Sequence, residues 1–110
     1  MIFLINREDL NLNNAKSVVY FYSSWMPFHK RMYNMIKVIE ENNPDIIFYG
    51  VDVDHFKEIV KIYEVTSIPV LIFFKDGFEK KRINGIPLIS AVKNIINVIY
   101  NKEVRDEKKD

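Results

Sequence analysis

The chain has 110 residues, 48% of them hydrophobic and 14% aromatic, so it encodes one folded domain with a single core. A net charge of +1 gives no field that would argue for nucleic acid or an acidic membrane as partner. There is no cysteine, which excludes disulfides, a thiolate nucleophile and cysteine-held zinc or iron–sulfur centres.

Met1 to Ile5 is apolar, but Arg7-Glu8-Asp9 ends the run well short of a signal-peptide core, and no stretch approaches the length of a membrane span. An intracellular, cytoplasmic location is therefore the expectation. Ile2 to Ile5 reads as a short strand, and the polar Asn6 to Asn14 as room for a brief helix. Val18 to Tyr22 is β-branched and aromatic without alternation, as in a strand buried on both faces. Pro27 suits a first helical turn. Beyond it Met32, Met35, Ile36 and Ile39 share one helix face, and Asn43-Pro44 stops the helix.

Ile46 to Val51 is the next expected strand. Asp54 is placed to cap a helix over His55 to Tyr63. Val70 to Phe74 then runs into Asp76-Gly77, a hairpin signal, and the charged Phe78 to Ile83 fits an edge strand. Gly85 breaks the chain and Pro87 opens a last helix that buries Val92, Ile95, Ile96 and Ile99. The expected order is βαβαβαββα over residues 1–101, followed by a charged, frayed tail at 102–110. Strands separated by helices are expected to pair in parallel, with the hairpin adding an antiparallel edge.

Trp25-Met26-Pro27-Phe28-His29-Lys30 follows one apolar strand, and Ile68-Pro69 heads another. Together with Val51-Asp52-Val53-Asp54, Lys75-Asp76-Gly77 and Gly85, this order resembles the thioredoxin family across nearly the whole chain. The resemblance implies an α/β thioredoxin fold, a central mixed sheet flanked by helices, with a cis-proline at Pro69. It also implies that the family's two active-site cysteines fall on Met26 and His29, its buried aspartate on Tyr20, and that aspartate's lysine partner on Gly50. Dithiol exchange needs a thiolate that attacks and a second thiol that resolves the mixed disulfide. A thioether and an imidazole supply neither, and loss of the aspartate and lysine as well marks a natural non-redox member.

In the family the same face holds an extended peptide. That implies a groove of Trp25, Met26, Pro27, Phe28, His29, Ile68, Pro69 and Gly85, with Met26 and Phe28 read as exposed, adaptable contacts. The expected function is a non-catalytic protein-binding or assembly module whose partner is a protein or extended peptide, with no cofactor, nucleic acid or membrane involved. The alternatives are a degenerate oxidoreductase relative that uses His29 for metal or proton chemistry, and a purely structural subunit. His29, in the first turn of a helix, is expected to have a lowered pKa. No residue set has the convergence of a metal site, because His55 follows a different strand. Lys80-Lys81-Arg82 is a short basic run, weak as a nucleic-acid patch.

Overall fold

The computed structural model describes residues 1–101; the expected tail at 102–110 lies outside them. β1 (Ile2–Phe3) leads through a 3-10 turn (Arg7–Asp9) to β2 (Lys16–Tyr22) and α1 (His29–Glu41). β3 (Ile47–Asp52), α2 (Lys57–Ile62), β4 (Val70–Lys75), β5 (Phe78–Asn84) and α3 (Ile89–Tyr100) complete it. The five strands form one sheet in the order β1-β3-β2-β4-β5.

The apolar strands lie where two-sided burial demands. Val18 to Phe21 and Val70 to Phe73 are all at most 1% exposed, in adjacent central strands. On one face, side chains such as Val18, Tyr20 and Phe73 pack with Met32, Ile36 and Ile39 of α1 and with Val92, Ile96 and Tyr100 of α3. On the other, Val19, Phe21, Ile72 and Phe74 pack against Ile59 of α2 and against Leu10 and Leu12. Helices thus cover both faces. The Tyr100 hydroxyl closes the helical side by donating toward the carbonyl oxygens of Ser17 (3.0 Å) and Phe74 (2.8 Å).

β2 and β3 are parallel, as are β1 and β3, but β4 runs antiparallel to β2, which corrects the expectation of parallel pairing across helices. With six residues, α2 spans only about 9 Å, against roughly 20 Å for a six-residue strand. The helix does not by itself return the chain along the sheet, and β4 starts at the end where β3 stops. This reversal brings the β2–α1 turn and the Ile68-Pro69 segment to the same end of the sheet. Phe21 pairs with Val70, and each of those segments begins within a few residues of that pair.

The Ile68–Pro69 peptide bond is cis. Asp76 (φ 53°) and Gly77 (φ 85°) both adopt the left-handed conformation, which closes the β4–β5 hairpin with the twist antiparallel strands require. All three helices start later than expected, α2 at Lys57 rather than at His55. α1 begins at His29 rather than at Pro27, and α3 at Ile89, two residues after Pro87.

Candidate functional site

β2 ends at Tyr22 and the chain turns through Ser23 to Phe28 into α1. Ser23 is fully buried, and its hydroxyl donates to the Asp54 carboxylate at 2.6 Å. The same Oδ2 atom accepts the Trp25 indole N–H at 3.0 Å. Asp54 therefore does not cap α2, whose N-cap is Phe56 with no side-chain hydrogen bond, and that expectation is corrected. Its carboxylate is taken up by the turn across the β2–β3 seam. These hydrogen bonds, the Ser23 one foremost, hold the Asp54 pKa below the ordinary carboxylate value. Asp54 fixes Trp25 while leaving its ring 71% exposed, in a position to touch something outside the molecule.

Phe28 is exposed beside it, at the N-cap of α1. Met26 is not part of this surface. It is 5% exposed and packs in the core with Tyr20, Tyr22 and Met32, so its expected role as a groove contact is corrected. An unbranched thioether on a tight turn fills the interior more readily than it projects from it. Pro69 is also buried, so the facing segment offers Ile68, which is half-buried, rather than the proline ring. Gly85 (φ 85°) is half-buried, and its N–H donates to the Pro69 carbonyl at 2.9 Å, which ties the β5–α3 loop to the same end of the sheet. Pro27 is exposed in the turn.

Behind the turn, His29 faces inward. Its imidazole lies parallel to the Tyr22 ring (centroids 4.4 Å, planes 11° apart), and Tyr22 stacks on Tyr20 at 5.0 Å. The Tyr20 hydroxyl and His29 Nδ1 are 3.0 Å apart. Burial is the main reason the His29 pKa falls below the free-imidazole value, while the nearby Asp52 carboxylate pulls the other way. The direction matches the helix-terminus expectation, but loss of solvent is the leading cause. A neutral imidazole accepting from the Tyr20 hydroxyl fits both facts. Burial also pushes the phenol groups of Tyr20 and Tyr22 upward, so both stay protonated.

Tyr20 and Gly50 are direct partners in the β2–β3 ladder. A Cβ at Gly50 would come within 2.5 Å of the Phe3 ring, which occupies the space a side chain there would need. Phe3 in turn meets the Tyr22 and Tyr33 rings edge-on and tilted, each at 5.7 Å. Sequence reasoning marked Tyr20 and Gly50 separately as departures. It missed that they face each other, and that Phe3, Tyr22 and His29 join them in one aromatic stack. It also missed Asp54 as the anchor of Trp25. Aligning the two apolar runs, Val18 to Tyr22 and Ile46 to Val51, in parallel puts Tyr20 opposite Phe48 or Tyr49 rather than Gly50, so neither this pairing nor the Asp54 hydrogen bonds carry a sequence signal.

His55 sits on the far side of Asp52, 3.7 Å from its carboxylate. Among the described residues, no three histidine or acidic side chains are grouped closely enough to hold a metal ion. Nor is any helix among them long and apolar enough to cross a membrane.

A family model described as Thioredoxin matches residues 6–99. The thioredoxin of Mycoplasmoides gallisepticum is 40% identical over 81 residues, which is 73% of this chain and 81% of that protein. Glutaredoxin 3 of Danio rerio is 30% identical over 80 residues, 71% of this chain but only 24% of that longer protein. Among solved structures, mitochondrial thioredoxin 3 of Saccharomyces cerevisiae in its oxidized form superposes with a TM-score of 0.81. It is 28% identical, with 90% of this chain and 95% of that one covered.

Proposed function

The chain belongs to the thioredoxin family and contains no cysteine, and from that premise we propose that it is a redox-inactive binding module that engages an extended protein segment along Trp25, Phe28, Ile68 and Gly85. The observation that carries this reading is the fixing of Trp25. A large aromatic ring is held largely in solvent by a hydrogen bond from another loop, a poor use of a tryptophan in packing. Tryptophan is also the residue most enriched in interface hot spots, and a ring already held in place loses little freedom on binding.

The sheet end supports the same reading. The exposed residues Thr66 and Ser67 lead into Ile68, and Gly85, bonded to the Pro69 carbonyl, adds no side chain to this end of the sheet. An extended segment laid there has backbone groups to meet and aromatic and aliphatic surface to cover. The aromatic group behind the turn fills the interior without a thiol, so the turn serves as a scaffold for the surface in front of it.

The test is affinity recovery of partners by the wild type and by a Trp25→Ala, Ile68→Asp double variant, with urea melts confirming that both are folded. The reading expects the variant to keep its cooperative melt and lose the recovered partners. Equal recovery by the folded variant would overturn it. A companion assay follows insulin-disulfide reduction, which should not rise above the blank of buffer and reductant.

A further inference from the structure

A second surface lies on the far edge of the sheet, where β5 meets α3. The ladder between β4 and β5 is regular from Val70–Asn84 to Phe73–Lys81, then shifts, so that Phe74 pairs with Glu79. Lys80 is thereby an extra residue, a β-bulge on the edge strand. A bulge re-aims side chains that would otherwise alternate across the sheet. Here it leaves Glu79 and Arg82 paired with each other and places Lys80 and Lys81 together on the α3 side.

Arg82 turns to the α2 side. It donates to the carbonyl oxygen of Tyr63 at 2.9 Å and forms a two-point ion pair with Glu79. Without the bulge, Glu79 would share a face with Lys81 rather than with Arg82. Lys80 and Lys81, although consecutive, instead both line a groove of about 300 Å³ against α3, together with Asn94, Ile95, Val98 and Ile99. Val98 is 48% exposed at this groove, and among the described residues no acidic side chain lines it. Lysines on an edge strand discourage strand addition, but that role does not require two successive ones on the same side.

We infer that the β5–α3 groove docks an acidic amphipathic segment of a partner protein, with an aliphatic side chain over Val98 and Ile95 and carboxylates against Lys80 and Lys81. Charge complementarity selects this occupant. Two lysines with no acidic neighbour in the groove among the described residues favour carboxylates, and the floor between them is aliphatic. Among the described residues the groove lining also has no aromatic ring on which a nucleic-acid base would stack, and its volume suits one or two side chains. The site is separate from the Trp25 face and does not depend on how that face functions.

Selection of short random displayed peptides on the whole protein tests this, followed by NMR titration of the enriched peptide. The expected peptides pair Asp or Glu with Leu, Ile or Val, and shift amides of residues 79–82 and 94–99. Lys80→Glu/Lys81→Glu should weaken binding by about tenfold or more, added salt should weaken it as well, and Trp25→Ala should leave it unchanged. Val98→Asp gives a second, independent loss, and a urea melt shows that each variant is folded. Peptides without acidic enrichment, shifts confined to the Trp25 face, or binding indifferent to the double charge reversal would each overturn the inference. So would a DNA duplex that shifts the same amides more strongly than the peptide does.

Discussion

The front and the back of the β2–α1 turn are built on opposite principles. Behind it, His29, Tyr22 and Tyr20 stack, and Phe3 meets Tyr22 edge-on while filling the space beside Gly50, with no thiol. In front of it, Trp25 and Phe28 stay in solvent, and Asp54 spends its hydrogen bonds on keeping Trp25 there. Selection for stability alone would bury a tryptophan or replace it. The contrast teaches that the interior behind the turn and the surface in front of it are separable in this fold, because the turn's backbone positions both while different side chains form each.

The contrast predicts unequal consequences on the two sides. Phe73→Ala, in the fully buried strand behind the turn, should destabilise the fold by about 3–5 kcal/mol in urea melts. Trp25→Ala should cost less than about 1 kcal/mol of stability, since it removes mainly exposed surface and one exposed hydrogen bond. If the two melts shift equally, Trp25 is a core residue and the distinction between front and back fails.

Gly50→Ala sharpens the account of the back. The added methyl group must displace the Phe3 ring from its contacts with Tyr22 and Tyr33, at a cost of about 1–2 kcal/mol. In a Phe3→Ala background the same change should cost much less, because the obstacle is gone, and a double-mutant cycle on urea midpoints reads that coupling. Additive costs would mean that Phe3 does not fill the space beside Gly50.

The smallest expected effect concerns pH. The His29 pKa in the folded protein lies below that of the unfolded chain, chiefly through burial, so the unfolded state takes up a proton first as pH falls. Stability from this group is therefore complete above about 6.5 and declines as pH drops from there toward the folded value. His29→Gln should flatten that part of the curve, as measured by denaturation midpoints at successive pH values. A wild-type curve that instead rises toward acid would reverse the assignment of a neutral, inward-facing imidazole.

Much of this architecture was legible in the chain. Val18 to Tyr22 and Val70 to Phe74 announce central strands through unbroken β-branched and aromatic runs, and Asp76-Gly77 announces the hairpin. The spacing of Met32, Ile36 and Ile39 defines the buried face of α1. Direction was harder, because apolar patterning is the same for parallel and antiparallel neighbours. The reversal, with β4 running back beside β2, accompanies a short α2 whose length the apolar pattern does not set. At the site, residue types gave the missing redox chemistry but not the contacts. Met26 turning inward and Asp54 bonding to Trp25 both depend on the path of a six-residue turn, which no periodicity encodes. The bulge at Lys80 is hidden for the same reason, since the unbroken charged run Glu79 to Arg82 has no apolar alternation whose slip would show it.

The account rests most heavily on the front of the turn being a working surface. The most direct measurement places a photo-crosslinking amino acid at Phe28 and, in a separate variant, at Val38, an exposed aliphatic position on the outer face of α1. Crosslinked products are then compared with and without Trp25→Ala. The account predicts discrete partner adducts from position 28 that disappear in the Trp25→Ala background, and none from position 38. Adducts at 28 that persist without Trp25, or equal labelling from both positions, would contradict it.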